Sequence, residues 1–366
     1  MSNMKVGFIG LGLIGGSIAR TIRRVHPDVT MIAYNRTPEV LSQALRDGVI
    51  DEAAWDITAT FGDCDYIFLC VPVVTMRSYL KKLKGIIGFN TIITDVGSTK
   101  GFIHNEIEKL QLTANFIGGH PMAGSEKTGY ANSTDRMIEN AWYVLTPGGD
   151  VPIEKVSAFS EFVRSLGALP ILLTSEEHDY ITAAISHVPH IVSASLVNMV
   201  HDLDGKEEYM RTIAAGGFKD ITRISSSSPQ MWQEICLANS DQICTVLESY
   251  IRHLTDFRFA VRNGNKDKLL QYFTASKDYR DTFTDGSSGL IRREYRLYMD
   301  INDEAGAIAR IATILADEHI SIKNIGIVHN RAFEQGVLRV EFYGEAALKD
   351  AVAILRKKSF HVYEDR

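Results

Sequence analysis

The stretch Val6-Gly-Phe-Ile-Gly10-Leu11-Gly12-Leu13-Ile14-Gly15-Gly-Ser-Ile-Ala19 constrains the fold more than any other part of the chain. A short apolar run reads as a strand, and the G-x-G-x-x-G at its end passes straight into a helical pattern. In that setting Gly10 makes the tight turn, Gly12 lets the backbone approach a pyrophosphate, and Gly15 lets the helix pack closely on its strand. Unpaired N–H groups and the helix dipole then favour negative charge at the helix start. The loop from Gly10 to Gly15, with Leu11, Leu13 and Ile14 between the glycines, is therefore the expected dinucleotide site. Val71 and Pro72, closing the apolar run that starts at Tyr66, are assigned to the same site. The competing reading is a glycine-rich structural turn.

The second strand, residues 30–34, refines the cofactor. An NAD site usually carries Asp or Glu at the end of this strand to bind the ribose 2′-hydroxyl. Here Asn35-Arg36-Thr37 follows instead. Asn35 does not repel a 2′-phosphate and Arg36 can pair with one, so NADP is favoured, with NAD as the alternative.

At 366 residues the chain is expected to hold two or three domains. With 45% hydrophobic and 23% charged residues it has the composition of a globular protein. A net charge of −6 offers no basic field for nucleic acid, and no uninterrupted apolar run reaches membrane-spanning length. The N-terminus enters the first strand at once, which predicts a cytoplasmic chain without a signal peptide. Cys64, Cys70, Cys236 and Cys244 lack C-x-x-C spacing and read as reduced thiols, not as metal ligands.

Residues 1–174 alternate strand and helix, the pattern of a Rossmann-type, doubly wound and mostly parallel α/β sheet. Expected strands after the first two are 66–71, 91–95, 115–118, 142–145 and 169–173. Residues 175–284 read as an all-helical substrate and dimerisation domain, with Ser175 as a helix cap. Apolar residues from Ile235 to Phe257 have the spacing of one long helix across 231–261. One small subunit has no need of so long a helix, which predicts a homodimer, with an intramolecular core helix as the alternative. Thr284-Asp-Gly-Ser-Ser-Gly289 is a linker by composition. Residues 294–366 follow a βαββαβ order, the ferredoxin-like plan.

Hydride transfer from an alcohol carbon needs a proton acceptor and groups that hold the substrate against the nicotinamide. Two loops at expected strand ends supply candidates. In Asp95-Val-Gly-Ser98-Thr-Lys100-Gly, Ser98 can cap the next helix and also bond a catalytic imidazole. In Gly118-Gly-His120-Pro-Met-Ala-Gly124-Ser125-Glu126-Lys127, His120 reads as a loop residue, and an ordinary imidazole titrates near ~6.5, suited to a general base. Further on, Ser186-His187-Val-Pro189-His190 places a helix breaker between two histidines. Its H-x-x-H lacks a third ligand for a metal. Lys219 and Arg223 lie a helical turn apart, and an Arg can grip a carboxylate bidentately; Trp232 follows. The plain alternative for Lys219 and Arg223 is a solvated helix face.

The motifs GLGLIGGS, DVGSTKG, GGHPMAGSEKTG, SHVPH and GGFKDITR…MW, in this order and across nearly the whole chain, resemble the prephenate dehydrogenase family of tyrosine biosynthesis. The resemblance implies NAD(P)-dependent oxidative decarboxylation of prephenate to 4-hydroxyphenylpyruvate and carbon dioxide. It implies that His120 binds and deprotonates the ring hydroxyl and that Ser98 orients it. Arg223 would hold a substrate carboxylate, while Ser125, Glu126, His187, His190, Lys219 and Trp232 shape the substrate pocket. Asn35-Arg36 departs from the acidic residue that family members use for NAD. The C-terminal unit resembles an ACT domain. That implies a loop at Asn302, Asp303, Ala305 and Gly306, with Asn324 and Ile325 on the next strand, able to sense L-tyrosine; a purely dimerising module is the alternative. Arogenate is an alternative substrate. A β-hydroxyacid dehydrogenase and a non-catalytic dinucleotide or amino-acid sensor are the alternative classes.

Overall fold

The computed structural model describes residues 4–125, 127–283, 295–301, 304, 306–329 and 336–364. They form two compact units, 1–256 and 257–366. The first unit opens with β1 (Lys5–Ile9), α1 (Leu13–Val25), β2 (Thr30–Tyr34), α2 (Pro38–Arg46), β3 (Glu52–Ala54), β4 (Tyr66–Leu69), α3 (Val73–Lys84), β5 (Ile92–Asp95) and α4 (Gly101–Lys109). The five strands pair in parallel in the order β3-β2-β1-β4-β5. Their apolar runs are continuous because helices cover both faces. Val6, Phe8, Tyr66 and Phe68 pack with α1, while Ile9, Ile67 and Leu69 pack with α3 and α4.

Three more strands, β6 (Ile117–Pro121), β7 (Trp142–Pro147) and β8 (Leu169–Leu172), form a second sheet, with α5 (Ile153–Ser165) between the last two. β6 and β7 are antiparallel, and a parallel bridge between Ile93 and Phe116 joins this sheet to β5. The strand expected over 115–118 therefore runs further, through His120 and Pro121. His120 is a buried strand residue, not a loop residue. Its two preceding glycines are required by packing. A Cβ on Gly118 would lie 2.3 Å from Thr146 Oγ1, and one on Gly119 would lie 2.6 Å from the Asp95 carbonyl oxygen.

Helices follow: α6 (Ser175–Thr182), a π turn (Ala183–His187), α7 (Val188–Leu203), α8 (Tyr209–Ile213), α9 (Gly216–Thr222), α10 (Pro229–Ala238) and α11 (Ser240–Arg262). The cap of α6 is Thr174, one residue before the expected Ser175; Thr174 and Glu177 close a reciprocal capping box. Pro189 does not break the helix. A π turn, closed by Val188 N–H on the Ala183 carbonyl, lets it run on past the missing proline donor. The single helix expected over 231–261 is interrupted at Asn239.

The continuous helix Ser175–Leu203 is long and apolar enough to cross a membrane by length and composition, with mean hydropathy 1.3 over its most apolar window. Its buried His178, Asp179, Thr182 and His187 are polar residues packed inside the unit. Elsewhere it leaves Ile181, Ile185, Met199 and Leu203 exposed.

The second unit holds the end of α11, α12 (Lys266–Thr282), and β9 (Tyr295–Ile301), α13 (Ala307–Asp317), β10 (Ile322–His329), β11 (Gly336–Phe342), α14 (Glu345–Lys357) and β12 (Val362–Glu364). The four strands pair antiparallel in the order β10-β11-β9-β12, over a core of Leu297, Met299, Leu338 and Val340 against α13 and α14. This is the ferredoxin-like βαββαβ arrangement.

Candidate active site

The glycine loop has the properties expected from its spacing. Gly10 has φ +96°, and a Cβ there would lie 2.5 Å from the Cys70 carbonyl oxygen and 2.9 Å from Val71 Cγ1. At Gly15 a Cβ would come within 2.6 Å of the Gly10 carbonyl oxygen, so the helix packs on its strand only without one. Around Gly12, by contrast, nothing lies within 4 Å of the Cβ position, and Gly12 caps α1 without any side-chain bond. An open helix start beside bare backbone fits the pyrophosphate of a dinucleotide. Leu13 and Ile14 open that helix, and Pro72 caps α3 beyond β4. Asn35 is spent locally: its Oδ1 accepts from Leu11 N at 3.0 Å and its Nδ2 donates to the Thr37 carbonyl at 3.1 Å. It ties the loop to β2, and Arg36 is exposed beside it.

The strands β1, β4, β5 and β6 run in one direction, so their carboxyl ends bring Gly10, Val71, Asp95 and His120 to one edge of the sheet. Under that edge lies a fully buried ion pair. Lys100 Nζ donates to Asp95 Oδ2 at 2.6 Å and to the Gly97 carbonyl at 2.8 Å, while Asp95 Oδ1 accepts from Gly119 N at 3.1 Å. These bonds shape the turn that carries Ser98, which is half-buried. Ser98 does not cap α4. The cap comes from a distant residue: Asp179 Oδ1 accepts from Lys100 N and Asp179 Oδ2 from Gly101 N, both at 2.7 Å.

The same carboxylate sets the protons of two imidazoles. His178 Nδ1 lies 2.8 Å from Asp179 Oδ1, and His178 Nε2 lies 2.8 Å from His120 Nδ1. An ionised carboxylate only accepts, so His178 carries its proton on Nδ1. Its Nε2 must then accept from His120 Nδ1–H, which leaves His120 Nε2 as a bare lone pair. Among the described residues that nitrogen has no hydrogen bond. Burial holds His120 well below its usual pKa, with the Lys100 cation and the neighbouring His178 and His187 adding to the effect. Burial also lowers His178 against the pull of Asp179. For Asp179, burial works upward, but the bonds from His178, Gly101 and Lys100 outweigh it and hold the carboxyl below its ordinary value. The triplet is thus a neutral base, a neutral relay and an anion.

A second cluster lies on the helices. His190 donates from Nδ1 to the Ser186 carbonyl at 2.9 Å and stacks on Trp232 with ring centroids 3.7 Å apart. Burial lowers its pKa. His187 is fully buried, edge-on to Trp232 at 6.0 Å, and burial pushes it down to about 4. Lys219 on α9 and Arg223, in the 3₁₀ turn after it, are exposed, and both segments pack on α7. Ser125 is exposed, its Oγ accepting from Lys127 N. Glu126, Asn302, Asp303 and Ala305 lie outside the described residues. In the second unit, Gly306 caps α13 at φ +90°, Asn324 is exposed on β10, and Ile325 packs against the sheet core.

The nucleotide-binding domain model of prephenate dehydrogenase matches residues 18–172, and the prephenate dehydrogenase dimerization domain model matches 174–275. The prephenate dehydrogenase of Bacillus subtilis strain 168 is 39% identical over 355 residues, 96% of each chain. The chain belongs to the prephenate dehydrogenase family. A crystal structure of the A. aeolicus prephenate dehydrogenase, in complex with hydroxyphenyl propionate and NAD+, is similar with TM-score 0.73 and 31% identity, over 77% of this chain and 99% of that one. The Synechocystis arogenate dehydrogenase structure matches with TM-score 0.70 and 29% identity, over 76% and 100%.

This prephenate dehydrogenase family member is an oxidoreductase with a domain for a nicotinamide dinucleotide. Motif reading did not single out Asp95, Lys100, His178, Asp179 and Asn239 for the site. Asp95 and Lys100 lay inside a quoted motif, and Glu177, His178 and Asp179 read as first-turn residues of a helix. A first-turn acidic residue is normally a local helix-dipole partner, so the pattern held no sign that Asp179 caps another helix instead.

Proposed function

We propose that the chain oxidises and decarboxylates prephenate to 4-hydroxyphenylpyruvate and carbon dioxide. The observation that carries this reading is the bare Nε2 of a neutral His120, its tautomer set through His178 by Asp179. Bound NAD(P)+ supplies the hydride acceptor. His120 Nε2 takes the proton of the ring hydroxyl as hydride leaves the carbinol carbon and the carbon–carboxylate bond breaks. The electron pair of that bond completes the aromatic ring as a phenolate. The positive charge held meanwhile on His120 is shared through His178 towards Asp179, and the proton then returns from His120 Nε2 to the phenolate oxygen, which gives the phenol and restores the neutral base. Ser98 orients the hydroxyl. Arg223 holds a substrate carboxylate, and Ser125, Glu126, His187, His190, Lys219 and Trp232 form the rest of the pocket. Aromatisation drives the reaction, so alignment and one proton acceptor suffice.

The absence of a carboxylate at Asn35 lets both dinucleotides enter, and Arg36 favours NADP+ by pairing with its 2′-phosphate. The apolar side chains left exposed on the helices are covered by a second copy, making a homodimer in the cytoplasm. The C-terminal unit senses L-tyrosine.

The test is a steady-state comparison of prephenate and arogenate with NAD+ and NADP+, with and without tyrosine, repeated on His120→Asn. Turnover of prephenate should fall steeply in the variant while KM changes little. Unchanged turnover would remove His120 as the proton acceptor, and a native enzyme that turns over arogenate alone would replace the substrate.

A further inference from the structure

Asn239 occupies the break between α10 and α11, is buried, and has no part in the reaction just described. An Asn at such a break usually caps the next helix with its side-chain oxygen. Here, among the described residues, Oδ1 takes no bond from the first turn of α11, and the side chain turns to the active site. Its Nδ2 donates to the Asp179 carbonyl oxygen at 2.8 Å and lies 3.1 Å from His187 Nδ1.

A carbonyl oxygen only accepts, so the Asp179 contact decides which end of the Asn239 amide is the NH2 group. That NH2 can only donate to His187 Nδ1, so the neutral ring carries its proton on Nε2. His187 Nε2 is fully buried and is directed at the Ser98 backbone, which it engages at poor hydrogen-bond geometry. Among the described residues the indole N–H of Trp232, which faces the same ring, is buried without an acceptor. Buried donors in native structures nearly always find a partner, and for His187 Nε2–H that partner is the Ser98 carbonyl.

We propose that Asn239 is a positioning residue of the active site. By fixing the Asp179 backbone and the Nε2–H tautomer of His187, it turns a preset donor towards the Ser98 backbone and so holds the turn whose serine orients the substrate hydroxyl. The role rests on the prephenate reading of this pocket, whereas the tautomer does not.

The tautomer is read in the full-length protein by nitrogen NMR of labelled histidine, with the His187 signal assigned by its loss in His187→Asn. Nε2–H is expected in the native protein and Nδ1–H in Asn239→Asp, whose carboxylate can only accept. The kinetic arm compares Asn239→Ala, His187→Asn and the double variant. Each single change should lower kcat/KM for prephenate by about 10-fold, and the double variant should be no worse than His187→Asn alone. Losses that multiply in the double variant would show that Asn239 acts on general packing and would overturn the proposal. So would Nδ1–H on native His187. Failure of the native enzyme to use prephenate would strike the reaction reading, and the tautomer result would still decide the role of Asn239 in fixing His187. Should Asn239→Asp fail to fold, the native spectrum and Asn239→Ala carry the test.

Discussion

Replacing Asp179 by Asn isolates the anion at the end of the imidazole pair. The carboxylate now accepts three bonds, from Lys100 N, Gly101 N and His178 Nδ1. An amide of the same shape has one accepting end and one donating end. If its oxygen keeps Lys100 and His178, its NH2 faces the Gly101 N–H donor. If it flips, its NH2 faces Lys100 N–H and forces His178 to accept at Nδ1. The proton of His178 then moves to Nε2, that of His120 moves to its own Nε2, and the base is lost. Either orientation removes the negative charge that stabilises protonated His120. General-base catalysis contributes about 10²- to 10⁴-fold, so kcat should fall within that range while KM for prephenate stays near native. The lost helix cap costs about 0.5–2 kcal/mol, which lowers Tm by a few degrees and leaves the protein folded at assay temperature. The assay follows production of the reduced nicotinamide at saturating substrate, beside a thermal melt. A folded variant with kcat within about threefold of native would refute the relay, since both amide orientations require a larger loss.

Gly12→Ala should leave the melting temperature unchanged and raise the KM for the dinucleotide, because the added methyl enters open space where the pyrophosphate belongs; Gly15→Ala should instead lower the melting temperature, as its methyl would meet the Gly10 carbonyl at 2.6 Å. Stability should also fall in mild acid. Burial depresses His187 to about 4, so below about pH 6.5 the unfolded chain binds a proton that the folded site refuses. That linkage removes up to about 3 kcal/mol between pH 6.5 and 4. Urea unfolding across that window should show a shallower pH slope for His187→Asn, and an unchanged slope would contradict the depressed pKa. Arg36→Ala should reduce kcat/KM with NADP+ much more than with NAD+; an unchanged ratio would remove Arg36 from cofactor selection.

The dinucleotide half of the site was legible because its requirements are local. Turn, close approach and helix packing each need a glycine at a fixed offset, and Gly10, Gly12 and Gly15 meet them within six residues. The alternation of strand and helix in residues 1–174 and the βαββαβ tail were legible for a similar reason, since apolar runs between turns carry their own period. His120 was named as a candidate but given the wrong local structure. Two glycines and a proline read as loop, whereas Gly118 and Gly119 are small because Thr146, Lys100, Thr94 and Tyr143 fill the space around them in a sheet. That information belongs to neighbours up to dozens of residues away.

The substrate half depends on such distances throughout. Asp179 is 58 or more residues from every group outside its own helix that bonds its carboxylate or that its partner His178 bonds. Asn239 reaches back 60 residues to Asp179 and 52 to His187. The apolar period across 231–261 is continuous through the break, so helical spacing alone predicts no interruption there. What ends α10 at Asn239 is a buried amide whose donors are used by the active site instead of by either helix. An interruption that local propensity does not demand, filled by a side chain bonded to two site residues, is therefore better explained by the proton positions it sets than by the path of the chain.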